Sequence, residues 1–142
     1  MDQRGGTLIE LTTVLAIVGI MVCLSDGFVS AATRYQAKAV RTELAAELRV
    51  ARHLAMSERQ KVRVVFDPSV SGIRTELVEA PHSVLRSYSF SGKDISVETL
   101  SNGPSVTFYP NGRTATATTV TLVNSSGQRW RMTVSITGRV NA

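Results

Sequence analysis

Few residues in this chain have the chemistry of a site, and the most unusual is Glu10. It is the one charge in the apolar run TLIELTTVLAIVGIMVCL, Thr7 to Leu24, which Gly5-Gly6 directly precedes. A carboxylate near one end of a membrane-spanning helix costs a few kcal/mol unless it is paired. If the backbone is cut between Gly5 and Gly6, a new amino group appears four residues before Glu10. On a helix that spacing brings amine and carboxylate close together, or lets each reach its opposite number on a neighbouring subunit. The chemistry is charge compensation, which can also set the register of an assembly.

Three readings of this N-terminus compete. It could be a secretory signal, with Arg4 as its basic region and Val29-Ser30-Ala31 as a small-residue cleavage site. It could be an uncleaved anchor with Arg4 on the cytoplasmic side. Or a peptidase could cut before the apolar run rather than after it. A plain signal or anchor gains nothing from Glu10, so the carboxylate favours the third. The run spans roughly 27 Å as a helix, just enough for a hydrocarbon core.

Other candidates for chemistry are weak. Cys23 is the single cysteine, so no intrachain disulfide can form, and with His53 and His82 it does not make a typical zinc site. No nucleophile has a matching base, and there is neither a glycine-rich phosphate loop nor a metal-ligand cluster in the sequence. The expectation is a non-enzyme without cofactor or metal. The formal net charge of +5 permits an acidic partner such as nucleic acid, anionic lipid or an acidic protein. Arg129 and Arg131 point to the same face of their strand, so a small phosphate-binding patch is a candidate. The simpler reading is that such arginines keep an exposed strand soluble and discourage edge pairing.

These residues have to be positioned by an α+β chain. Val40, Leu44, Leu48, Ala51 and Ala55 recur at helical spacing, so the helix should continue beyond the apolar run, with Asp26-Gly27 as its soft point. Arg34, Lys38, Arg41, Arg49 and Arg52, with Glu43 and Glu47 interspersed, read as a solvated face laced with Glu–Arg pairs. After Met56 the period shortens to two. Strands are expected over Val62–Phe66, Ile73–Val78, Val84–Phe90, Ile95–Leu100, Val106–Tyr109, Thr119–Val123 and Arg129–Ile136. Asn124-Ser125-Ser126-Gly127 is a good hairpin loop, after which Trp130, Met132, Val134 and Ile136 should face inward.

Gly5-Gly6-Thr7-Leu8-Ile9-Glu10-Leu11 closely resembles the cleavage and N-methylation signature of type IV pilins and type II secretion pseudopilins. By that resemblance a prepilin peptidase cuts between Gly5 and Gly6, Gly6 is methylated, and Glu10 is the glutamate at the fifth mature position. The family usually has phenylalanine where this chain has Gly6. ELAAELRVARHLAMSERQKVRVVFD, VTFYPNGRTA and GQRWRMTVSITGRV resemble parts of GspH/FimT-type minor pseudopilins. The resemblance implies a leader at 1–5, a transmembrane half of the helix at 6–27 and a periplasmic head at 28–142 that includes the amphipathic half. It implies two packed sheets on the helix, and a minor subunit that primes or caps a pseudopilus or pilus from the bacterial inner membrane. The partners it implies are prepilin peptidase, other minor and major (pseudo)pilins and the membrane. It also implies an alternative, DNA binding through a Gly-Arg motif; Gly138-Arg139-Val140-Asn141 keeps the first arginine and has Asn141 where a second is usual.

Overall fold

The computed structural model describes the backbone of residues 4–67, 69, 71–79 and 83–142, and their side chains except at 4–6 and 25–33. Pro68 and His82 lie outside the described residues, as do the side chains of Arg4, Asp26 and the Val29-Ser30-Ala31 cleavage candidate. One helix, α1, spans Arg4–Ser57 and includes the expected soft point Asp26-Gly27. The absence of proline from this stretch leaves its backbone ladder uninterrupted. Thr12, Thr13 and Thr42 turn their hydroxyls back onto helix carbonyls, which satisfies them without an outside partner. At the C-terminal end Arg59 takes a φ of 54°, a left-handed residue of the kind that stops a helix. The chain forms two compact units, Met1–Tyr35 and Gln36–Ala142.

Unit two is the head. Its eight strands are β1 (Val62–Asp67), β2 (Gly72–Leu77), β3 (Val84–Ser89), β4 (Ser96–Leu100), β5 (Ser105–Phe108), β6 (Thr118–Val123), β7 (Arg129–Val134) and β8 (Val140–Asn141). They form two antiparallel four-stranded sheets, ordered β3-β2-β1-β5 and β4-β6-β7-β8. Alternation places Val62, Val64 and Phe66 of β1 on one inner face and Thr118, Val120 and Leu122 of β6 on the other. Both meet the helix stripe Ala37, Val40, Leu44, Leu48, Ala51 and Ala55 in one contiguous core. Leu44 and Leu48 are wholly enclosed; truncating either to alanine would cost about 2–5 kcal/mol.

The expected strands are present with ends shifted by a residue or two, and β8 is an addition. Ile136 is a correction: β7 stops at Val134, and Ile136 is half exposed in the turn that follows. The expected Glu–Arg lacing of the helix is a second correction. Glu47 accepts two hydrogen bonds from Arg86 of β3, and Glu43 takes the Lys93 ammonium at 2.8 Å and the Tyr88 hydroxyl. The helix glutamates tie the helix to β3 and the turn after it instead of to its own arginines.

Two glycine turns lock the end of the head. In the first, Gly112 N–H donates to the Tyr109 carbonyl and Tyr109 N–H to that of Arg113; in the second, Gly138 N–H donates to Ser135 and Ser135 N–H to Arg139. Buried Thr114 joins the sheets here, its N–H reaching the Ile136 carbonyl and its hydroxyl that of Ser135. Gly138 has φ +76°, and a Cβ on it would sit 2.0 Å from the Gly112 carbonyl oxygen. Gly127 has φ +75° with open space around it. Gly127→Ala should therefore cost only the backbone strain, about 1–2 kcal/mol. Gly138→Ala adds a backbone overlap that no rotamer relieves, and should lower the melting temperature by more than about 10 °C. Thermal melts of the two variants followed by circular dichroism check the difference.

Candidate functional site

The N-terminal unit presents a bare apolar surface. Thr7 to Leu24 form a helical segment long and apolar enough to cross a membrane, none of it buried. Leu8, Ile9, Leu11, Leu15, Ile20 and Met21 are all more than 60% exposed, so no described residue of this unit covers them. Thr7, Glu10, Leu11 and Val14, at the i, i+3, i+4, i+7 positions of one face, line a shallow depression. Gly5 and Gly6 lie in the first turn of α1, and Gly6 precedes Glu10 by four residues, a rise of about 6 Å. Among the described residues no cation and no hydrogen-bond donor reaches the Glu10 carboxylate. Cys23 is exposed on the same segment.

In the head, the three C-terminal arginines do not form one patch. Arg129 opens β7 opposite Val123, and its guanidinium is held by both carboxylate oxygens of Glu98 from β4, at 2.7–3.0 Å. That partner raises the Arg129 pKa and lowers that of Glu98, chiefly through the side-chain hydrogen bonds. Arg131, two residues on, shares the exposed face as expected and has no ion pair among the described residues. Arg139 follows the second glycine turn, beyond the other end of β7.

Arg139 instead meets residues that sequence reasoning assigned to a solvated helix face. Arg49, Arg52 and His53 of α1 line a cleft with Gly138, Arg139, Val140 and Asn141. Arg52 Nε donates to the Gly112 carbonyl at 3.0 Å, and Arg49 Nη2 to the Val140 carbonyl at 3.4 Å. The i, i+3 spacing of Arg49 and Arg52 was visible in the sequence; their neighbour from the C-terminus, about 90 residues away, was not. His53 is exposed, and among the described residues no three His, Cys, Asp or Glu side chains gather as metal ligands.

A long N-terminal helix whose second half carries two antiparallel sheets is a pilin-like arrangement. Residues 41–138 match the family model described as type II transport protein GspH. The chain belongs to the GspH family. Its fold is also similar to that of the type IV minor pilin FimU of Pseudomonas aeruginosa PAO1, with a TM-score of 0.66 and 21% identity over 76% of this chain and 88% of FimU. The minor pseudopilin EpsH of the Vibrio cholerae type 2 secretion system has a similar fold too, at TM-score 0.61 and 14% identity, covering 75% of this chain and 94% of EpsH. No curated protein sequence matches the chain.

As a GspH-family member with a pilin-like fold, the chain is a structural component of the type II transport kind and not an enzyme. Family membership implies contact with other pilins, and the exposed apolar helix fits a membrane-anchored protein. The Glu98–Arg129 pair gives this GspH-type head a measurable signature. Glu98 has a lowered pKa in the folded state, so its contribution is present above the ordinary carboxylate value of 4.5 and lost as pH falls through the folded value. Glu98→Gln should therefore lose less melting temperature than the parent between about pH 6 and about pH 3. The difference should be small, because the pair is on the surface.

Proposed function

We propose that this chain is a minor subunit that primes or caps a type II secretion pseudopilus or type IV pilus, and that Glu10 governs its entry into the filament. Prepilin peptidase cuts between Gly5 and Gly6, and Gly6 is N-methylated. Thr7–Leu24 then holds the protein in the bacterial inner membrane with the head in the periplasm, and assembly carries it to the filament tip. The supporting observation is an apolar helix that no part of its own unit covers, carrying one carboxylate a single turn after Gly6. Such a surface is stable in lipid or against other apolar helices. In either setting Glu10 needs a cation, and the new amino group of this chain or of a neighbour supplies it.

Glu10→Ala should leave membrane insertion intact or improved while reducing filament incorporation at least tenfold, measured by sheared-filament immunoblots against membrane fractions. Equal incorporation would exclude the role given to the carboxylate. Mass spectrometry of the membrane form should find a chain beginning at Gly6 with one added methyl group, and only when the peptidase is present.

A second reading, contact with DNA phosphates through Arg129, Arg131 and Arg139, is supported by the exposure of all three side chains. Arg129 is already neutralised by Glu98, so Arg131 and Arg139 would carry most of the salt-dependent affinity. In gel shifts at low salt, Arg131→Ala with Arg139→Ala should then weaken binding more than Arg129→Ala does. No salt-dependent shift with the parent protein would remove this reading.

A further inference from the structure

The head sorts its cations into two kinds. Arg63, Arg74, Arg86, Lys93 and Arg129 each have a carboxylate within ion-pair distance, namely Glu76, Asp67, Glu47, Glu43 and Glu98. Arg49, Arg52 and Arg139 have none among the described residues, although they line one cleft together with His53 and Asn141, and no Asp or Glu lines it. The cleft is open to solvent and has a volume of about 420 Å³. Neighbouring guanidiniums without a counter-charge repel one another, so an anion between them is favoured.

The cleft is also built, not merely crowded. Arg52 is held by the Gly112 carbonyl, and the Gly138 turn packs so closely on that same carbonyl that only glycine fits. Arg49 is drawn toward Val140, the residue after Arg139. Each of these arginines spends one N–H on the main chain and keeps others for a ligand, since a guanidinium carries five in a planar fork. Holding the forks in advance reduces the conformational entropy a ligand would otherwise have to offset. Asn141 also lines the cleft.

We propose that this cleft is a receptor for a carboxylate-bearing segment of a neighbouring pilin, docking the head of this subunit in the filament. The proposal rests on the filament reading above. Carboxylate fits better than nucleic acid because three unpaired arginines, Arg49, Arg52 and Arg139, line one pocket. A phosphate backbone carries a charge on every nucleotide and is gripped by a succession of basic contacts. Arg129, at the far end of β7, is closed off by Glu98 and does not extend the cleft into such a track.

The test uses the full chain in detergent micelles with two fluorescent probes, a hexaglutamate peptide and a 20-base-pair DNA duplex, followed by anisotropy across a salt series. The peptide should bind the parent, and Arg49→Gln with Arg139→Gln should weaken it about tenfold or more, as expected for lost charge-assisted bonds. Arg131→Gln, outside the cleft, should leave peptide binding unchanged. Melting curves of each variant separate lost binding from lost folding, and Arg139→Lys, which keeps the charge without the fork, should fall between parent and Gln. No binding of the peptide, or equal binding by the double variant, would overturn the proposal. Tighter binding of the duplex, lost in the same double variant, would reassign the cleft to nucleic acid and overturn the carboxylate assignment. None of these outcomes depends on Glu10, so normal peptide binding beside failed filament entry, or the reverse, would separate the two ideas.

Discussion

Burial of a single helix stripe organises the head. Neither sheet has a strand longer than six residues, and each presents one apolar face. Ala37, Val40, Leu44, Leu48, Ala51 and Ala55 lie where both inner faces can reach them, and one contiguous core results. At about 25 cal/mol per Å² of apolar surface removed from water, such burial is the main stabilising term available to a domain of this size. The small residues in the stripe, Ala51 and Ala55 among them, let strands approach the helix closely. Everything polar in the head is arranged around that contact. Glu43 and Glu47 flank the stripe and anchor the β3 side, while Arg52 anchors the Gly112 turn and Arg49 reaches β8 at Val140.

The same helix has an opposite character in its first half. There every described side chain from Thr7 to Leu24 is exposed, and no polar face relieves it. Water is a poor solvent for such a surface, so lipid or other apolar helices must complete it. A lone carboxylate in that setting is costly when unpaired and directional when paired. One element thus serves two environments, and the change in side-chain pattern along α1 marks the division of labour between anchoring and folding the head.

Charge is distributed with similar economy. The net charge of +5 is not spread evenly. Paired cations cover both sheets, and a cluster of unpaired ones sits beside the Gly138 turn. A basic pI would suggest a diffuse attraction for any polyanion. Three of the unpaired arginines, Arg49, Arg52 and Arg139, are gathered in one cleft.

Much of this was legible in order along the chain. The apolar run with Glu10, the helical spacing of Val40 to Ala55, the alternation in β1 and β7, and the Asn124–Gly127 loop are local patterns with periods of 18 residues or fewer. Hydrophobic period and turn chemistry act over such distances, so sequence alone determined an α+β chain with an amphipathic helix and antiparallel strands. It could not determine which carboxylate meets which cation, because surface side chains choose partners across the fold. Glu43 and Glu47 have no arginine three or four residues away on the helix, and they take Lys93 and Arg86 from across the fold. Nor could it place Arg139 beside Arg49 and Arg52, or show that Gly138 is needed to let two turns touch. Those facts belong to tertiary structure, since they arise only when the helix and the C-terminal turn are packed on the same core.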